Sequence, residues 1–141
     1  MTTPSWLGAL LLAVVVGGCA PAPTPSEQVS ISFRFSHFEP SAVTVPAGVP
    51  VSITLENDDP IGHEWIVGPP EVHEVHRVGT EPEHVGRPNE VSVAPYETKT
   101  TLLTFERPGT YAFICHLPGH EAYGMKGVVT VVQQPSRLAA R

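Results

Sequence analysis

Sixteen prolines spread over 141 residues argue against a helical fold, because a proline inside a helix removes a hydrogen bond and clashes with the preceding turn. Between the prolines lie short runs in which apolar and polar residues alternate. Val29-Ser-Ile-Ser-Phe-Arg-Phe35 and Val51-Ser-Ile-Thr-Leu55 repeat with period two, the pattern of a half-buried strand. Ala42-Val-Thr-Val45 ends at a Pro46-Ala-Gly48 turn, and the run ending at Leu55 is followed by Asn57-Asp-Asp-Pro60. Residues 63–67, 90–94, 98–105, 110–115 and 127–132 complete about eight short strands. This spacing predicts an all-β sandwich. The expected domain, residues 29–133, is long enough to bury one modest core. Phe33, Phe35, Val51, Ile53, Leu55, Phe105, Phe113 and Val129 are its predicted members. Residues 71–89 fit no strand, which leaves one longer irregular loop with room for a short helix or a lid.

The N-terminal end has a different character. Residues 1–18 carry no charged side chain, and the continuous apolar stretch within them is too short to span a bilayer. They read as a signal peptide. The following Val16-Gly17-Gly18-Cys19 resembles a bacterial lipobox, which implies cleavage before Cys19 and lipidation of that residue. Residues 2–6 depart from the usual leader in having no Lys or Arg. Residues 19–28 combine the lipidated cysteine with a Pro-rich linker, extended over roughly 28 Å at about 3.1 Å per residue. A flexible polar tail is expected over residues 134–141. The expected location is therefore extracytoplasmic, in the periplasm or on the outer face of the cell membrane, held there by the lipid. With Cys19 at the processing site, Cys115 is left as a free thiol in an oxidising compartment, where a bound metal would protect it. The formal net charge of −6 disfavours nucleic acid as a partner.

Chemistry concentrates near the C-terminal end, in Cys115-His-Leu-Pro-Gly-His120-Glu-Ala-Tyr-Gly-Met125. A thiolate, an imidazole and a thioether lie on one loop. Thiolate and thioether favour Cu(I), and imidazole accepts both Cu(I) and Cu(II). Alternation puts Tyr111, Phe113 and Cys115 on one inward face, and Pro118-Gly119 turns the chain so that His120 returns towards the sulfur. His63, in Asp58-Asp-Pro-Ile-Gly-His63, supplies a further imidazole from a separate strand. His116 is expected to face away from this set. A single cysteine in the loop excludes a four-thiolate zinc or iron–sulfur site.

The Cys115-x4-His120-x4-Met125 spacing, after a strand beginning Pro108-Gly-Thr-Tyr and with His63 upstream, resembles the cupredoxins. The loop length is most similar to that of the auracyanins and rusticyanin. The resemblance covers roughly residues 29–133. It implies a Greek-key β-sandwich and a single type 1 copper, with His63, Cys115 and His120 as strong ligands and Met125 as the axial one. It also implies an electron carrier rather than an enzyme, monomeric, with redox protein partners such as a cytochrome or a membrane oxidase or reductase. Two positions depart from common family members: Glu64 follows the first histidine, and Ile114 precedes the cysteine. The main alternative on the same fold is a periplasmic copper-binding chaperone or storage protein.

A second histidine group lies in the irregular loop, in His73-Glu-Val-His76 and His84, among Glu71, Glu74, Glu81 and Glu83. It reads first as a solvated acidic loop, since no fixed geometry follows from the sequence, with an auxiliary zinc or copper site or a metal-capturing lid as the functional alternative.

Overall fold

The computed structural model describes residues 26–79, 84 and 86–133. The expected signal peptide, Cys19, most of the expected linker, Glu81 and Glu83, and the tail over residues 134–141 lie outside the described residues. Nine strands and one helix follow in the order β1 (Glu27–Arg34), β2 (His37–Glu39), β3 (Ala42–Pro46), β4 (Pro50–Asn57), β5 (His63–Gly68), α1 (Pro70–Val78), β6 (Glu90–Val93), β7 (Thr98–Thr104), β8 (Gly109–Ile114) and β9 (Lys126–Val132). They form two facing sheets, β2-β1-β4-β7 and β3-β9-β8-β5-β6. β1 runs parallel to β4 and β3 parallel to β9, and the other pairs are antiparallel. The expected sandwich is therefore present. The strand absent from the sequence reading is β2, only three residues long.

The core forms where the inward residues of the two sheets meet. Ile31 and Phe33 of β1 and Val51, Ile53 and Leu55 of β4 face Trp65 and Val67 of β5, Phe113 of β8, and Val129 and Val131 of β9. Phe33, Phe38 and Phe113 interlock edge to face, with centroids 5.1 Å apart in both contacts. Tyr111 extends the core to the rim, where its hydroxyl donates to the Arg107 carbonyl at 2.9 Å and ties the entry into β8 to the preceding corner.

Phe35 does not join this core and is 82% exposed. The period-two pattern ends one residue earlier, because Phe35 and Ser36 both take positive φ, 52° and 55°. They form the two-residue turn between β1 and β2, whose backbone hand matches strand twist. Phe35 therefore leaves the inward series that includes Phe33.

The irregular loop begins with α1. Pro70 occupies its first turn, where its missing N–H is not needed. The helix lies against β5. This explains why β5 is buried on both faces, Ile66 as well as Trp65 and Val67. No helix among the described residues is long and apolar enough to cross a membrane.

Candidate metal centre

Cys115 follows β8 on its inward series, and both it and Met125 are fully buried. The loop between them folds back on itself. The Cys115 amide donates to the Met125 carbonyl at 3.1 Å, and the Met125 amide donates to the His120 carbonyl at 3.0 Å. Gly119 and Gly124 supply the two reversals at φ of 87° and 97°, a backbone region that favours glycine. His120 is thereby returned to the sulfur, its Nδ1 3.3 Å from Cys115 Sγ.

His63 opens β5 and is buried. Its Nδ1 lies 3.2 Å from Nδ1 of His120. The donor atoms of His63, Cys115 and His120 all fall within 4.8 Å of one another. Two ligand atoms bound to one first-row ion at about 2.0–2.3 Å, with a near-tetrahedral angle, stand about 3.3–3.6 Å apart. The separations to His120 agree with this within a few tenths of an ångström, so these side chains fit a shared ion. Met125 joins them through the backbone of the loop and packs in the same core cluster as Cys115.

Asp59, which the sequence reading passed over, sets the orientation of His63. Its Oδ2 lies 2.9 Å from Nε2 of His63. A carboxylate only accepts, so Nε2 carries a proton, and Nδ1, on the side of His120 and Cys115, is the nitrogen placed to bind a metal. Asp59 also accepts the amides of Phe35 at 2.7 Å and Ser36 at 2.8 Å. Burial pushes the Asp59 carboxyl up, but the two amides and His63 outweigh it and hold the group below its ordinary value. Asn57 fixes the segment that carries Asp59. Its side chain accepts the Asp59 amide at 3.0 Å and donates to the carbonyls of Ile61 and Ala94, each at 2.8 Å. The available signal was spacing: Asp59 stands four residues before His63, within the Asn57-Asp-Asp-Pro60 turn.

The amide of Glu64 donates to Cys115 Sγ at 3.4 Å. This contact to the sulfur comes from the backbone, which any residue but proline supplies, so it does not depend on the side chain at position 64. Burial raises the Cys115 thiol to about 11. Burial also lowers His120, with the neighbouring His63 adding to the effect, so its imidazole is neutral near pH 7. Metal binding at this site would displace the thiol proton.

His116 faces away, as expected. Its Nε2 lies 3.0 Å from Nδ1 of His73, whose Nε2 donates to the Ala112 carbonyl at 3.2 Å. Burial lowers His116 to about 4, with His73 contributing. The second histidine group is thus divided. His73 pairs with His116, and His76 and His84 converge on Glu90.

A family model described as a cupredoxin-like domain matches residues 7–131. The copper-resistant cuproprotein CopI of Pseudomonas aeruginosa is 26% identical over 147 residues, covering 82% of this chain and 81% of that protein. The protein of the same name from Rubrivivax gelatinosus is 31% identical over 98 residues, covering 67% of this chain and 59% of its relative. Among solved structures, reduced auracyanin from Roseiflexus castenholzii superimposes with a TM-score of 0.63 at 25% identity, covering 77% of this chain and 99% of the other. Auracyanin B, at 23% identity and a TM-score of 0.65, covers 79% of this chain and 93% of its own, and shares the fold. With its two-sheet sandwich and its His63–Cys115–His120 constellation, the chain belongs to the cupredoxin-like domain family.

Proposed function

We propose that this protein carries single electrons through a type 1 copper held by His63, Cys115 and His120, with Met125 as a weak axial ligand. The convergence of two Nδ1 atoms and one Sγ supports this reading most directly. Sulfur and imidazole together suit both oxidation states. The donors are held before any metal arrives: Asp59 orients His63, the Glu64 amide braces the sulfur, and the Asn57 bonds hold the loop. Side chains fixed in this way move little when the charge on the site changes, which favours rapid electron transfer. His120 is half-buried, beside exposed Pro118, Ala122 and Tyr123. A small apolar surface at the exposed edge of a ligand suits brief docking with a redox protein. The role is that of a carrier rather than an enzyme. Residues 1–19 support export and attachment through a lipid on Cys19.

A second reading, a copper-handling duty in copper resistance, is favoured by the name that both CopI relatives carry. Reduction in the presence of a strong Cu(I) chelator separates the two. An electron carrier keeps its copper and its intense thiolate-to-copper absorption through repeated redox cycles. A copper-handling protein surrenders the ion on the first reduction. Cys115→Ser abolishes the absorption in either case, and an unchanged spectrum in that variant ends the type 1 assignment.

A further inference from the structure

We propose that His76, His84 and Glu90 form a second metal site, separate from the Cys115 centre, for a divalent ion of the Zn2+ or Cu2+ type. The ligand atoms of the three residues lie within 4.8 Å of one another. Their side chains are 6%, 2% and 8% exposed. They come from different parts of the chain: His76 from the last turn of α1, Glu90 from the start of β6, and His84 from the connection between them.

The orientation of His76 suits a bound cation. Its Nδ1 lies 2.6 Å from the Val72 carbonyl. A carbonyl only accepts, so Nδ1 carries a proton and Nε2 is the nitrogen left to take a metal ion. That Nε2 is buried and has no hydrogen-bond partner. It is aimed at Oε2 of Glu90, 3.5 Å away. A nitrogen facing a carboxylate oxygen in a buried setting needs a proton or a cation between them, and 3.5 Å without a hydrogen bond is long for a proton-bridged pair. Nδ1 of His84 approaches the same oxygen at 3.2 Å. Both separations are close to the roughly 3.3–3.4 Å expected of nitrogen and oxygen ligands sharing one ion. Arg87 donates to Oε2 at 2.7 Å and occupies one lone-pair direction of that oxygen. The arginine holds Glu90 ionised against the opposing effect of burial, as a carboxylate ligand must be.

The donor set selects the ion. Two imidazoles and a carboxylate, with no sulfur, favour borderline divalent ions over Cu(I). Three protein ligands leave a coordination position open, and a cleft of about 300 Å³ lined by Glu64, His76, His84 and His116 provides access. Glu64 Oε1, 3.4 Å from His84 Nε2, orients the outer side of that ring. His73 is excluded, because both of its nitrogens are engaged by His116 and Ala112.

The test is calorimetric titration of Zn2+ into the full chain after one equivalent of Cu2+ has filled the Cys115 centre. One further Zn2+ per chain is expected. His76→Gln and Glu90→Gln should each weaken that binding at least tenfold while the thiolate-to-copper absorption is unchanged. His73→Gln should leave Zn2+ binding intact. If His76→Gln lowers the melting temperature, Glu90→Gln decides the matter. With Cu2+ as the second ion, a broad, ordinary hyperfine splitting should appear beside the narrow one. Absence of Zn2+ binding, or binding that survives both His76→Gln and Glu90→Gln, overturns the proposal.

Discussion

The carboxylate of Asp59 stands 2.9 Å from Nε2 of His63, four residues further along the chain, and the same group accepts the amides of Phe35 and Ser36 at 2.7 and 2.8 Å. One side chain thus joins the β1–β2 turn to the ring orientation of a candidate metal-ligand histidine. Outer partners of this kind typically account for a 10–100-fold change in metal affinity. Asp59→Ala should weaken copper binding by about that factor, measured by competition with a chelator of known affinity. It should also cost about 1–3 kcal/mol of stability in the apo-protein, because two partly buried amides lose their acceptor. Asp59→Asn retains one acceptor oxygen and should fall between Asp59→Ala and the parent. Unaltered affinity in Asp59→Ala would leave His63 oriented by packing alone.

Met125 is fully buried and tied to Cys115 through its carbonyl. Met125→Leu conserves volume, so its cost in stability should stay below about 1.5 kcal/mol. The thiolate-to-copper absorption should persist, and voltammetry should show a higher reduction potential, because the axial ligand tunes that potential. A lower potential, or loss of the absorption, would remove Met125 from the axial role.

The apo-protein should lose stability at high pH. Burial holds the Cys115 thiol at about 11 in the fold, above its ordinary value of 9.0. Above pH 9 the unfolded chain releases this proton before the folded one does, so the unfolded state gains free energy of ionisation first. Stability should therefore fall as pH rises from about 9 towards 11. Urea midpoints at pH 8 and pH 10.5 measure the effect, and Cys115→Ala should remove this component of the slope. Equal slopes for the two proteins would mean that the thiol does not contribute.

Gly127 lies under the ring of Phe113 and against the Ser41 carbonyl, and an added Cβ would overlap both. Phe113 is fully buried in the aromatic group with Phe38, so the ring has little room to withdraw. Gly127→Ala should destabilise the protein by about 1–3 kcal/mol through overpacking, read as a lower urea midpoint at constant slope. A neutral result would show that β9 can shift away from β8.

Much of the sandwich was legible because period-two alternation reports which side of a strand faces inward. Seven of the eight residues expected in the core are buried, and the exception, Phe35, is decided by a turn. The alternation runs straight through that turn, so the local pattern gave no sign that the chain had changed conformation. The short β2 was missed for the opposite reason, since three residues carry too little periodicity to register.

Residue type and spacing alone were enough to name the candidate donor set of the Cys115 centre. Cys115, His120 and Met125 share one short loop, and the Pro-Gly and Gly turns leave that loop few ways to close. What orients and what separates the histidines depends on the assembled fold. Asp59 reaches His63 because the segment between β4 and β5 is folded and pinned by Asn57. His73 and His76 are neighbours in sequence, yet one turns to His116 and the other to Glu90. Helical geometry places them nearly one turn apart, and packing of α1 against β5 fixes what each ring meets. Ligand identity is a local property of residue type and spacing. Tautomer, partner and burial depend on residues distant in sequence, which only the assembled sheets bring within reach.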